Sequence, residues 1–141
     1  MTAFRLDDEL EAFRAQVRTL ATREFAAKAA YWDEREEFPE ANRRVLAELG
    51  YFGLLIPEAY GGSGGRIIQS CVLVEEMARV CFNTASVCQI YVHGPSRAIT
   101  VLGGEDLKRR LLPGVASGEN LIAISISEPQ AGSAVTDLRT T

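Results

Sequence analysis

The sequence predicts a mainly α fold that ends in the first strand of a sheet. Two observations predict the helices: apolar residues recur every three or four positions through most of the 141 residues, and Gly and Pro divide them into five runs. The third is an abrupt change of period in "LIAISISEPQAGS", residues 121–133. Here Ile122, Ile124 and Ile126 alternate with Ala123, Ser125 and Ser127, the period-2 pattern of a half-buried strand.

In the first run, Leu6, Leu10, Phe13, Val17 and Leu20 form one apolar stripe, so a helix is expected to about Ala30. Asp7 and Asp8 suit its N-cap and first turn, where an acid meets the positive end of the helix dipole. Trp32 and the charged loop "DEREEFPE" follow. Pro39 suits the first turn of a second helix, with Val45, Leu46 and Leu49 inward and Gly50 as its stop.

Beyond the apolar run of Tyr51, Phe52, Leu54, Leu55 and Ile56, Pro57 and four glycines (Gly61, Gly62, Gly64, Gly65) break any regular element. This run lacks the Lys-Ser/Thr ending of a P-loop and the G-x-G-x-x-G of a dinucleotide turn, so it reads as a tight structural loop. A third helix is expected over 67–82, rich in Ile68, Cys71, Val72, Val74 and Met77. A fourth covers 84–102, interrupted by "HGP" at His93 to Pro95, since proline removes a backbone bond. Gly103 and Gly104 end it. A fifth covers 105–117, with Leu107, Leu111 and Leu112 inward and Pro113 weakening its end.

Length and composition allow a real core: at this size a fold buries roughly two thirds of its unfolded surface. Hydrophobic residues are 47% and charged residues 24%, with net charge −4 and scattered basic residues. Nucleic acid and anionic membrane are poor partners for such a surface. No apolar run reaches the roughly 20 residues of a membrane span, and the acidic, amphipathic start is unlike a signal or transit peptide. Cytoplasm is the expected location.

The candidate reactive groups have plain structural readings. Cys71, Cys81 and Cys88 follow no metal-ligand spacing and read as small buried thiols on helices. Glu75 and Glu76 are adjacent, so they project about 100° apart and read as a solvated face or a boundary salt bridge rather than an acid–base pair. His93 is the single histidine and no nucleophile motif accompanies it, so a structural role is expected.

Several ordered passages resemble the acyl-CoA dehydrogenase family across essentially the whole chain. They are "LAELGYFGLLIPEAYGGSGG", then "VEEMAR", then "GPSRAITVLGGEDLKRRLLPGVASGE", and last "ISISEPQAGS", which is similar to the family's flavin-binding signature. The resemblance implies an N-terminal helical domain over 1–119 and the start of a central β-domain over 120–141. It implies FAD as cofactor, an acyl-CoA thioester as substrate and an electron-transfer flavoprotein or similar acceptor. The implied reaction is α,β-dehydrogenation, in which a carboxylate removes the α-proton while the flavin accepts a hydride from the β-carbon. The chain looks like the first third or so of such an enzyme. Its base is expected beyond these residues, so no catalytic residue is assigned and the chain alone is expected to be inactive.

The same resemblance carries roles onto particular residues. Ile124, Ser125, Ile126 and Ser127 are expected along the hydrogen-bonding edge of the flavin ring, Ser127 standing where threonine is usual. Gly132 and Ser133 would offer backbone N–H groups to its pyrophosphate, and Ser133 would also contact the acyl-CoA. Val87, Ile90, Tyr91 and Gly94 would line the acyl chamber, where side-chain bulk limits acyl length. Two positions depart from the family pattern: Ala134 replaces an aspartate, and Asp137 stands where a small residue is common. Two other readings stay open: a non-catalytic helical module that associates with a full-length paralogue, and a flavin monooxygenase or acyl-CoA oxidase relative on the same fold. An unpaired apolar edge at 122–126 also predicts a homo-oligomer.

Overall fold

The computed structural model describes residues 5–140. Among these residues seven α-helices carry the fold: α1 (Asp8–Glu24), α2 (Ala29–Arg35), α3 (Glu40–Glu48), α4 (Ile67–Ala78), α5 (Phe82–Cys88), α6 (Pro95–Leu102) and α7 (Glu105–Ala116). As its sequence suggests, α1 starts at Asp7, whose carboxylate accepts the Leu10 N–H at 2.8 Å. The helix ends six residues earlier than its stripe predicts, and a 3₁₀ turn (Ala26–Lys28) leads into α2. A straight helix would carry Trp32 about 22 Å along the axis from Val17. The bend instead returns Trp32 to the cluster that holds Val17, Leu20 and Phe25.

The main core lies where α4 packs between α1 and α5. Leu73, Met77, Val17, Leu46 and Phe52 are fully enclosed there. Polar side chains tie the layers together. Asn42 on α3 donates to the Thr84 hydroxyl on α5 at 2.8 Å, with both residues buried. Arg43 donates to the Gly118 carbonyl at 2.8 Å and to Glu40. Glu40 is held down to about 2 by Arg43 and then Arg44. A smaller cluster of Ile56, Leu112, Val115 and Ala116 packs α7 against the glycine loop.

That loop is structural, as expected. The N–H groups of Gly61, Gly62, Ser63, Gly64 and Gly65 donate to the carbonyls of Glu58, Pro57, Gly53, Ile56 and Leu54 in turn. None of these donors is left to cradle a phosphate. The folding is so tight that a Cβ on Gly62 would lie 2.0 Å from the Ile56 carbonyl oxygen.

Several expectations are corrected. Leu49 is 52% exposed, because α3 stops at Glu48 and Gly50 turns the chain at φ +75°, swinging Leu49 off the stripe. The third helix ends at Ala78, and extended backbone at Cys81 leaves Phe82 to open α5. Cys71 is exposed, whereas Cys81 and Cys88 are buried and burial pushes the Cys88 thiol up to about 12. The reading of the acid pair as a solvated face or a salt bridge holds for both members: Glu75 faces solvent, and Glu76, 1% exposed, is salt-bridged. Glu76 accepts from Arg18 Nε at 2.8 Å and Nη2 at 2.7 Å.

The largest correction concerns the sheet. Among the described residues there is no strand, and residues 121–127 form no ladder. The alternating pattern is present, but a strand exists only when a neighbour takes up its backbone hydrogen bonds. Among the described residues, the β-type pairing seen is the bridge between Glu128 and Ala131.

Candidate functional site

The interruption at "HGP" is more than a break. Between α5 and α6 the backbone widens into a π turn (Gln89–His93), a form rare elsewhere and frequent at functional sites. The buried Ser96 hydroxyl lies 2.8 Å from the Tyr91 carbonyl and 3.2 Å from that of Val92, so its proton is shared between groups the turn leaves short of donors. Gly94 closes the turn where a Cβ would come within 3.0 Å of the Ile90 carbonyl oxygen. Pro95 then starts α6 at its first position.

His93 has the structural role its sequence context suggests. The Ser70 hydroxyl donates to the Ile67 carbonyl at 2.7 Å, so its oxygen accepts from His93 Nε2–H at 2.6 Å. Burial pushes the imidazole below its ordinary value, which favours the neutral ring. The contact pins the end of the π turn to α4.

Of the four residues assigned to an acyl chamber, Val87 lies on α5 and Ile90 and Tyr91 in the turn. Val87 is 2% exposed and Tyr91 is buried, its ring stacked on Phe52 at 4.5 Å. Ile90 projects outward at 47% exposure. It lies between two clefts. One, of about 560 Å³, has Phe38, Phe82 and Val87 in its wall and Asp33, Glu36 and Glu37 at its edge. The other, of about 360 Å³, is lined by Phe38, Ile90, Tyr91, Leu121, Ile122 and Ala123. Neither lining contains a lysine or arginine. Gly94 is not in either wall; its part is to let the turn close.

The residues that the resemblance assigned to a flavin edge form a separate concavity. Ile124, Ser125, Ile126 and Ser127 line about 390 Å³ together with Glu128, Leu138 and Thr140. Glu128 organises it: its carboxylate accepts from the Thr140 hydroxyl, from the N–H of Thr140 at 2.9 Å and of Arg139 at 3.0 Å, and from Gln130. These bonds, the Thr140 hydroxyl foremost, hold Glu128 below the usual carboxylate range. Gly132 and Ser133 are exposed, and neither N–H donates to a described residue. A Cβ on Gly132 would meet nothing within 4 Å.

The structure thus brings Ile90 and Tyr91 beside the root of the 121–127 segment, while the concavity at 124–128 and Ser133 do not share a cleft with them. Phe38, Phe82 and Ser96 were missed by sequence reasoning. The Gly-Pro pair inside an apolar run was the available signal for Ser96. Replacing Ser96 by alanine is expected to cost about 1.5 kcal/mol, since two buried carbonyls lose a donor. Urea denaturation measures this, and a loss below about 0.5 kcal/mol, the level of an ordinary surface change, would mean that packing alone holds the turn.

Comparison with known proteins adds an independent line. A family model described as the N-terminal domain of acyl-CoA dehydrogenase matches residues 7–119. A probable acyl-CoA dehydrogenase, fadE25, of Mycobacterium leprae is 34% identical over 97% of this chain and 35% of its own length. The structure of a glutaryl-coenzyme A dehydrogenase in complex with glutaryl-CoA superimposes with a TM-score of 0.83 at 34% identity, over 96% of this chain and 35% of that one. An acyl-CoA dehydrogenase from Bacillus anthracis, complexed with FAD, gives a TM-score of 0.82 at 27% identity, over 95% of this chain and 23% of that one. The chain spans about a third of the length of the curated relatives it matches.

Proposed function

This chain belongs to the acyl-CoA dehydrogenase family, and from that premise we propose that it forms the N-terminal part of an FAD-dependent enzyme that oxidises the α,β CH–CH bond of an acyl-CoA. Residues 1–119 are its helical domain, and 120–141 begin its β-domain. The observation that carries the reading is the pair of surfaces set around one segment. An apolar cleft at Phe38, Ile90 and Tyr91 meets the root of 121–127, and the same segment continues into the concavity at 124–128.

The residues present fit a flavin. Main-chain groups of Ile124, Ser125 and Ile126 bond no described backbone group, and the Ser127 hydroxyl is exposed beside them. They are free to meet the polar edge of a planar ring. The N–H groups of Gly132 and Ser133 are likewise open to phosphate oxygens. When bound, FAD would supply the oxidant, with electrons passing on to an electron-transfer flavoprotein or similar acceptor. Ser133 would also touch the acyl-CoA. Val87, Ile90 and Tyr91 would orient the acyl group and keep water from it, and Gly94 would hold Ile90 in place. No base is assigned here, because Glu128 is committed to its own turn and neither Glu58 nor Glu75 lines either site.

Flavin fluorescence tests this. Titrating the chain into FAD is expected to give saturable quenching, weakened about fivefold by Ser127→Ala, the effect of losing a hydrogen bond of about 1 kcal/mol. Absence of quenching at any attainable protein concentration would sink the assignment of 124–133 as sufficient for flavin contact.

A further inference from the structure

The chain leaves α7 through residues 118–120, and that exit is held from both α3 and α7. The Arg43 side chain on α3 is only 13% exposed. Its Nε and Nη2 donate to the two carboxylate oxygens of Glu40 at 2.7 and 2.8 Å, and its Nη1 donates to the Gly118 carbonyl at 2.8 Å. Gly118 turns at φ +76°, and an added Cβ there would lie 2.5 Å from that of Ala47 on α3 and 3.1 Å from the Phe52 ring. From the other side, the Asn120 N–H donates to the Gly114 carbonyl on α7 at 2.8 Å.

The residues that follow this exit, Leu121, Ile122 and Ala123, form one wall of the apolar cleft, and Phe38, Ile90 and Tyr91 form the rest. Tyr91 is tied to the same clamp, since its ring stacks on Phe52, which lies beneath Gly118. Burial pushes its phenol up, and the charges of Arg43 and Glu40 reach it in opposite senses. Arg43 therefore stands where the two walls are joined. A guanidinium suits the place: its planar fork donates to a carboxylate and a carbonyl at once, whereas a lysine ammonium is a point charge. We infer that Arg43 is a positioning residue of the acyl cleft: by holding the Gly118 carbonyl, it sets where the wall of 121–123 stands relative to Ile90 and Tyr91. The inference rests on the reading of that cleft as the acyl site, and it uses no group assigned to the flavin.

The test measures the placement of the wall and needs neither flavin nor thioester, so it reads out whether or not FAD binds. Spin labels go on Glu75→Cys and Ala123→Cys, both at exposed positions, in a Cys71→Ser background that leaves only the buried Cys81 and Cys88. Pulsed electron resonance is expected to give one narrow distance distribution. Arg43→Lys, which keeps the charge beside Glu40, is expected to shift or broaden it with an unchanged far-UV circular dichroism spectrum. Asn42→Ala is the control for a merely structural role. It removes the buried bond to Thr84 from the same helix, so it is expected to lower the urea midpoint and leave the distribution as it was. A distribution unchanged in both Arg43→Lys and Arg43→Ala would overturn the proposal. Equal broadening by Asn42→Ala, or a broad distribution with Arg43 in place, would overturn it too.

Discussion

Replacing Phe52 by alanine is expected to lower the unfolding free energy by about 4 kcal/mol, within the range for emptying an enclosed aromatic site. Phe52 has no exposed surface and stacks on Tyr91. It also lies beneath Gly118, where an added Cβ would approach its ring to 3.1 Å. Backbone therefore frames part of the site and can collapse only slightly into the space left behind. The stack couples this core position to the cleft, since Tyr91 forms part of its wall. Urea unfolding should be compared with Phe82→Ala, expected within about 0.5 kcal/mol of the native chain because Phe82 is 71% exposed. Equal losses for the two variants would contradict the placement of the core.

Arg18→Ala is expected to lower the urea midpoint of unfolding. The loss comes less from the missing attraction than from the Glu76 carboxylate left buried without its main partner. Arg79, at 3.9 Å, is a poor substitute, and the half-exposed Arg18 keeps the loss at the low end of the range for buried pairs. The double variant Arg18→Ala with Glu76→Leu should recover much of the loss, because an apolar side chain needs no partner there. The pH dependence has a definite sign. Arg18, by hydrogen bond first, holds Glu76 below its ordinary value of 4.5. A carboxylate with a depressed folded value stabilises fully above its unfolded value, and that stability is lost as pH falls through the folded one. The gap between native chain and Arg18→Ala should therefore be full at neutral pH and close as the pH drops below 4.5. A gap unchanged down to strongly acid pH would show that packing, not the ion pair, causes the loss.

Periodicity located most of the helices, because an amphipathic stripe must face a core wherever that core lies. Leu10, Val17, Leu20, Leu46 and Leu112 are buried as their spacing implies. It could not foresee the bend after α1, since a stripe in phase does not say how far the core extends along the axis. Nor could it separate Glu75 from Glu76. Adjacent carboxylates look alike in sequence, and only the approach of α1 carries Arg18 to one of them. The candidate site divides in the same way. The concavity lined by Ile124 to Ser127 falls on residues that the resemblance singled out, whereas Phe38 and Phe82 reach the cleft beside Ile90 from distant parts of the chain.

By itself the sequence determined the helical class, the family, the Asp7 cap, the glycine loop and the break at His93–Pro95. Each depends on local backbone preference or on the order of motifs, both of which survive without a partner. Tertiary structure alone decided the π turn, the burial of Glu76, the exposure of Leu49 and Cys71, and the lack of a ladder at 121–127 among the described residues. These depend on which groups from elsewhere in the chain arrive to satisfy a hydrogen bond or exclude water, and a strand pattern without such a neighbour remains only a pattern.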